Sequence, residues 1–324
     1  MNVNSGTRLA GAAAALFVAV LLAACSSPDQ ESTAGDRNDP ALVAPPKAAP
    51  TPSVSNVPDL TLPIQAYQPT LAQRTVVENA TVSLVNACMH RFGFDDALPP
   101  GRPSQPSLMS RRYGVTDPAI AERYGYHVAP GDGIETGAKP AGNGGALSRS
   151  AILVLTGDPN GQPRPGAPAP AGTYAGAAIP AGGCSGEAAA KLGGGRLFGG
   201  ATTLADRIMT TGFAQAETDD RVTAVVGTWS ACMKQQGYAF KTPFDAAASA
   251  KIDTPAPSTV EIKTAVADVT CKRKTNLVGV FYGVERAYQN AAIQRNIEQL
   301  NRLKAEIEQV VKAAAGALGV PVPR

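Results

Sequence analysis

Histidine occurs only twice in the 324 residues, tryptophan once, and charged residues make up 17% of the chain. Two histidines, His90 and His127, leave little material for general-base catalysis or a histidine-rich metal site. Neither is paired with a nucleophile, and no serine or cysteine stands in a recognisable nucleophile motif, which argues against a hydrolase. Cys-x-x-Cys is absent, so no metal or cofactor is expected. A net charge of +3 without a long basic stripe gives no footprint for nucleic acid. Lys272-Arg273-Lys274 is read as a solvated helix face. GDPNG, starting at Gly157, lacks a Gly-Lys-Ser or Gly-Lys-Thr ending and reads as turn chemistry, not a phosphate loop. The strand and helix alternation of a doubly wound sheet is missing too. Aromatics are only 5% of the chain. Cores built from so few rings are small and need covalent help.

What is present begins with an address. Leu9 to Ala24 form an unbroken apolar run behind Arg8, shorter than the roughly 20 residues a membrane-spanning helix needs. It reads as an export signal over residues 1–24. Leu22-Ala23-Ala24-Cys25 resembles the lipobox of bacterial lipoproteins, which implies a lipidated Cys25 as the mature N-terminus, anchored but not spanning. From there to residue 60 the composition is Ser, Pro, Ala, Asp and Asn, too apolar-poor to fold alone, and is read as a disordered tether.

Cysteine then supplies the staples. With Cys25 acylated, Cys88, Cys184, Cys232 and Cys271 remain, an even number that in an exported chain implies disulfides. NACMHRFGF (Asn86 to Phe94) and SACMKQQGY (Ser230 to Tyr238) share one frame: Ala-Cys-Met, three variable residues, Gly, an aromatic. Cys88 and Cys232 hold equivalent places, so each is expected to pair within its own half, Cys88 with Cys184 and Cys232 with Cys271. The rival pairing joins Cys88 to Cys232 directly. Both copies are expected to end helices. Gly93 and Gly237 would be left-handed, and Met89 or Met233 would clasp the aromatic that follows the Gly. Cys88, Met89 and His90 diverge by about 100° each on a helix and cannot converge on one ion.

Between the copies, SRRYGVTDPAIAERYGYHVAP (Ser110 to Pro130) offers Asp117 as cap and Pro118 as opener of a short helix closed by Gly125. Arg111, Arg112, Tyr113, Arg123, Tyr124, Tyr126 and His127 gather around it and form the candidate ligand or partner patch, because Arg and Tyr suit binding surfaces. GDGIETGAKPAGNGGALSRS is expected as a long loop. Ile152 to Thr156 and Tyr174 to Ile179 are expected as extended pieces of a small hairpin.

After residue 200 the pattern is helical. Capping signals stand at Thr70-x-x-Gln73, ahead of the first Ala-Cys-Met copy, and at Ser258-x-x-Glu261, and no proline interrupts the chain from Ser258 to about Ala315. One very long helix, or two with a break near Thr270 to Thr275, would fit. Ile293, Ile297, Leu300, Ile307, Val311 and Ala314 form a narrow seam suited to one partner helix, either within the chain or in another protein. The expected fold is mainly α: a first lobe over 61–200, loop-rich with a small β-hairpin, and a second helical lobe over 201–324 with a long C-terminal helix.

WSACMKQQGYAFKTPFDA (Trp229 to Ala246), AVADVTCKRKTNLVGVFYGVERAYQ (Ala265 to Gln289), ACMHRFGFD, RRYGV, RYGYH and GGCSGEA together resemble a group of actinobacterial cell-envelope lipoproteins. The resemblance implies lipid anchorage on the outer face of the cytoplasmic membrane and supplies no catalytic residues. The expected function is a non-catalytic interaction or accessory protein whose partners are the membrane and an envelope protein. The alternative is a small-ligand sensor or solute-binding lipoprotein of a transporter.

Overall fold

A computed structural model describes residues 39–47, 50–54, 57, 60–95, 98, 109, 111–129, 147–158, 172–193 and 202–323. The apolar run, Cys25 and most of the long loop after Pro130 lie outside the described residues. Asn38–Arg324 make one compact unit. Among the described residues no helix is long and apolar enough to cross a membrane.

The chain is mainly helical, with two disulfides and a long C-terminal helix. In order come a 3-10 turn at Pro63–Tyr67, α1 (Leu71–His90), α2 (Pro118–Tyr124), α3 (Arg149–Thr156), β1 (Thr173–Tyr174), β2 (Ala177–Ala178) and α4 (Gly183–Lys191). They are followed by α5 (Leu204–Glu217), α6 (Asp220–Gln235), α7 (Pro243–Ala248), α8 (Thr259–Thr275), α9 (Leu277–Arg295) and α10 (Ile297–Leu318).

Local chemistry explains the boundaries. Thr70, Thr203 and Thr242 open α1, α5 and α7 with reciprocal capping boxes to Gln73, Asp206 and Asp245. Both Ala-Cys-Met segments end as expected. The N–H of Phe94 reaches the Met89 carbonyl at 3.1 Å and that of Gly93 the His90 carbonyl at 3.0 Å. Tyr238 and Gly237 repeat this on Met233 and Lys234, both at 3.0 Å, with Gly93 and Gly237 left-handed. These are Schellman endings, which satisfy the last carbonyls of α1 and α6.

Among the described residues two hydrophobic clusters result, and α1 runs through both. Val77 and Ala80 belong to the larger, with Trp229, Phe281, Val284, Leu300, Ile307 and Val311. Val85, Cys88 and Met89 belong to the smaller, with Ala151, Val154, Ile179, Cys184 and Ala188. The larger cluster therefore takes residues from both sides of position 200. The bonds are Cys88–Cys184 and Cys232–Cys271, with Cα separations of 5.5 and 5.7 Å.

Three expectations are corrected. Ile152 to Thr156 are helical, as part of α3, not extended: Ser148 accepts the Ala151 N–H and left-handed Gly157 closes the helix. The hairpin is instead Thr173–Tyr174 against Ala177–Ala178, turned by Ala175 and Gly176 at positive φ. The long C-terminal segment takes the two-helix form with its break at left-handed Asn276, directly after the expected Thr270 to Thr275, and then breaks a second time, unexpectedly, at Asn296. Lys272 is buried, whereas Arg273 and Lys274 beside it are exposed.

The largest correction concerns the tether. Its described residues 39–47 and 50–54 form a strap laid along α9, antiparallel to it. Asn296 Nδ2 donates to the Pro40 carbonyl at 2.9 Å, Arg295 to Leu42 at 2.9 Å, Gln215 Nε2 to Val43 at 2.6 Å, and Asn276 Nδ2 to Pro52 at 3.1 Å. Prolines carry no N–H, so an extended proline-rich run presents mainly acceptors. The helix surfaces answer with side-chain donors. Gly279 and Gly283, one turn apart, make room: a Cβ there would stand 2.0 Å from the Pro52 carbonyl oxygen and 2.1 Å from that of Pro50. The segment's composition cannot fold alone, but a grooved helix with donors at both ends orders it.

Candidate functional site

The seven-residue patch expected around Ser110 to Pro130 is where the structure concentrates its buried polar chemistry. α2 packs on α8, capped by Asp117, whose Oδ1 accepts the N–H groups of Ala119 (2.7 Å) and Ile120 (3.2 Å). With α2 fixed there, the residues flanking it are carried against the inner faces of α8 and α9.

Three acids receive them. Glu285 is fully buried and accepts Arg112 Nε at 2.9 and 3.0 Å, Arg112 Nη2, Tyr113 Oη–H at 2.8 Å and Gln289 Nε2 at 2.8 Å. Arg112 also donates to the Met209 carbonyl at 2.8 Å. Asp268, fully buried, accepts Lys272 Nζ at 2.9 Å, Trp229 Nε1 at 3.0 Å and Tyr126 Oη–H at 3.3 Å. Lys272 Nζ also donates to the Val115 carbonyl at 2.9 Å. Glu261, at the start of α8, accepts the Tyr126 N–H at 2.9 Å and His127 Nδ1 at 2.7 Å. His127 Nε2 lies 3.0 Å from the Thr254 carbonyl.

The electrostatics follow from burial. Desolvation pushes the Glu285 and Asp268 carboxyls up, opposed by Arg112 in one case and Lys272 in the other. Tyr113 and Tyr126 are raised beyond the ordinary phenol range by burial first and by the adjacent carboxylates second. His127 is raised chiefly by its hydrogen bond to Glu261. Both its nitrogens face acceptors, which favours the doubly protonated ring.

Five of the seven patch residues thus hold the chain together. Arg111 donates to the carbonyls of Tyr126 (3.3 Å) and His127 (2.7 Å), and Arg112, Tyr113, Tyr126 and His127 serve the acids. Arg123 is exposed and lies over the half-buried Tyr124 ring at 5.2 Å. The expectation of a solvent-facing Arg and Tyr surface fails because three buried acids require those donors. Glu261, Asp268 and Lys272 were not among the predicted site residues, although a signal existed. Glu261, Ala265, Asp268 and Lys272 follow four-three-four spacing, one helix face, so polar groups occupy the stripe that α8 buries.

The seam also resolves. Leu300, Ile307, Val311 and Ala314 are buried, and α10 packs against α1, so the seam's partner lies within the chain. Leu303 and Val310 complete the spacing, and Lys304 stays exposed beside them. Ile293 is buried at the end of α9, whereas Ile297, beyond the break at Asn296, is 37% exposed. His90 of the first Ala-Cys-Met copy is exposed, 3.3 Å from Asp95, and the Cys88 sulfur beside it is bonded to Cys184.

No protein-family model, curated protein or solved structure matches this chain.

Proposed function

We propose that this is a lipid-anchored, non-catalytic accessory protein of the cell envelope, held on the outer face of the cytoplasmic membrane through Cys25, whose folded body contacts another envelope protein. The observation that carries the reading is the junction Leu22-Ala23-Ala24-Cys25 after an apolar run too short to span, in a chain whose other four cysteines are paired. The inward commitment of Glu261, Asp268 and Glu285 supports a scaffold role, since each acid is bonded to groups that fix the fold. With the seam held by α1, the contact surface belongs to outward positions such as Glu298, Arg302 and Glu308 of α10, all exposed.

Metabolic labelling with an alkyne fatty acid, followed by membrane flotation, tests the anchor. The wild-type chain should carry label and float, and Cys25→Ser should do neither. An unlabelled, non-floating wild-type protein would sink the reading. Photo-crosslinkers placed at Glu298, Arg302 and Glu308 in intact envelopes test the contact: one discrete adduct is expected, and none at any position would refute an α10 interface.

A further inference from the structure

Phenylalanine is scarce, eight in the chain, yet three of them meet at one place. Phe213 stacks on Phe281 with ring centroids 4.9 Å apart and meets Phe244 edge-on at 6.1 Å. The Tyr113 ring centroid lies 5.1 Å from that of Phe281. Beside this cluster, where α6, α7 and α9 converge, is a cavity of about 140 Å³. Its floor is Val222, Leu277, Phe281 and Tyr113, all buried, and its sides are Val226 and Phe244, both half-buried.

The lining presents carbon. Tyr113, which could have offered a hydroxyl, donates it to Glu285 instead. The Arg112 guanidinium, which could have offered a cation, is clamped on Glu285 and stands over Phe213 at 4.9 Å. The buried network therefore also fixes the rings that build the floor, so the cavity is formed before anything enters it. Polar groups stand only among the remaining lining residues: Thr223 and Thr242 carry hydroxyls, and the exposed Glu217 carries a carboxylate.

We infer that this cavity is a binding site for a small neutral molecule carrying one benzene-sized ring or a short branched alkyl group. Volume sets the size: an apolar cavity of roughly 150 Å³ in an unrelated protein stays dry and takes up benzene. Apolar walls set the class, because a polar substituent placed at the floor would lose its hydration without a partner. Glu217 sets the charge, disfavouring an anionic ligand at the mouth. The site does not depend on the lipid anchor or on a protein partner.

The test uses the purified, disulfide-bonded chain with toluene, indole and benzoate as probes, read by ligand-observed NMR and by thermal shift. Toluene and indole should bind and raise the melting temperature in proportion to occupancy. Benzoate should bind at least about tenfold more weakly. Val226→Trp, which fills the mouth, should weaken toluene about tenfold or more, while Val260→Trp, outside the lining and 73% exposed, should leave it unchanged. Circular dichroism confirms that both variants are folded, and Val226→Leu serves as a milder filling variant should the first not fold. Three results would each overturn the inference: no toluene or indole binding up to their aqueous solubility, binding that ignores the filling variant, or benzoate bound as tightly as toluene.

Discussion

Around Cys88–Cys184, eight buried residues among those described hold the end of α1, α3, α4 and the hairpin together. Around Cys232–Cys271, the bridge joins α6 to α8 inside a core that also holds Trp229, Leu277, Phe281 and the buried pairs at Asp268 and Glu285. The same helix-ending segment carries a cysteine into both regions. In the smaller one the bond replaces packing that so few apolar residues cannot supply; in the larger it fixes the register of two helices already bound by burial. Closing loops of 96 and 39 residues restricts the unfolded chain by about 5 and about 4 kcal/mol respectively. Nearly equal energies should thus have unequal structural consequences.

Removing each bond in turn should separate the two regions most strongly. Cys88→Ala with Cys184→Ala should cost about 5 kcal/mol locally, enough to abolish amide protection in α3 and α4 while α8 and α9 stay protected. Cys232→Ala with Cys271→Ala should lower the stability of the whole body by about 4 kcal/mol without a separate early transition. Hydrogen exchange by mass spectrometry reads both. If the two double variants lose protection in the same pattern, the regions are not distinct.

Next in size is the buried pair that gives the larger region cohesion without sulfur. Glu285→Ala leaves the Arg112 guanidinium in a site where its side chain is only 12% exposed, and should cost about 3 to 5 kcal/mol in urea unfolding. Arg112→Met combined with Glu285→Leu should recover most of that loss, because the penalty comes from an uncompensated charge rather than from the pair's net worth. A double variant as unstable as the single one would contradict this account.

A smaller effect is expected at the strap. Gly283→Ala places a methyl group against the Pro50 carbonyl, and should cost about 1 to 3 kcal/mol as strap and helix separate. Limited proteolysis should then cut within residues 39–54 faster than in the parent, with α8 and α9 intact. Unchanged cleavage would mean the strap does not need the notch.

How much of this was readable beforehand follows from the range of each interaction. Caps, Schellman endings and the cysteine pairing depend on neighbours a few residues away or on a repeated segment, and Thr70, Ser258, Gly93 and Gly237 carry them visibly. The strap was missed because its order depends on Asn276, Gly279, Gly283 and Asn296, more than 200 residues on, while its own composition argues for disorder. The patch was misread for a related reason: Arg112 and Tyr113 look like surface residues until Glu285 is placed beneath them, 173 residues away in the case of Arg112. Asn296 adds a second break to the C-terminal helices without any proline or glycine to announce it. Its side chain, bonded to the Pro40 carbonyl and to Ala292, turns toward the strap.

The smallest effect concerns His127, which ties the end of the 109–129 segment to Glu261 and Thr254. Its ring is held above the ordinary histidine value, first by the Glu261 hydrogen bond, then by the Thr254 carbonyl and the charges of Glu261 and Asp253, with burial opposing them. A group whose folded-state pKa is raised stabilises the fold fully below its unfolded value, near 6.5, and loses that contribution as pH rises through the folded value. The unfolding free energy should therefore decline from about pH 6.5 upward as the charged contact to Glu261 is lost. His127→Gln should flatten this slope. Asp219 acts in a separate window: Arg221, with help from Tyr288, holds it down at about 2, so its contribution is present above the ordinary carboxylate value and lost only as pH falls toward 2. Urea titrations of parent and His127→Gln between pH 6 and pH 9 distinguish the two groups. A parent whose stability is flat or rises across that interval would show that the His127 contact to Glu261 is not charged in the folded protein.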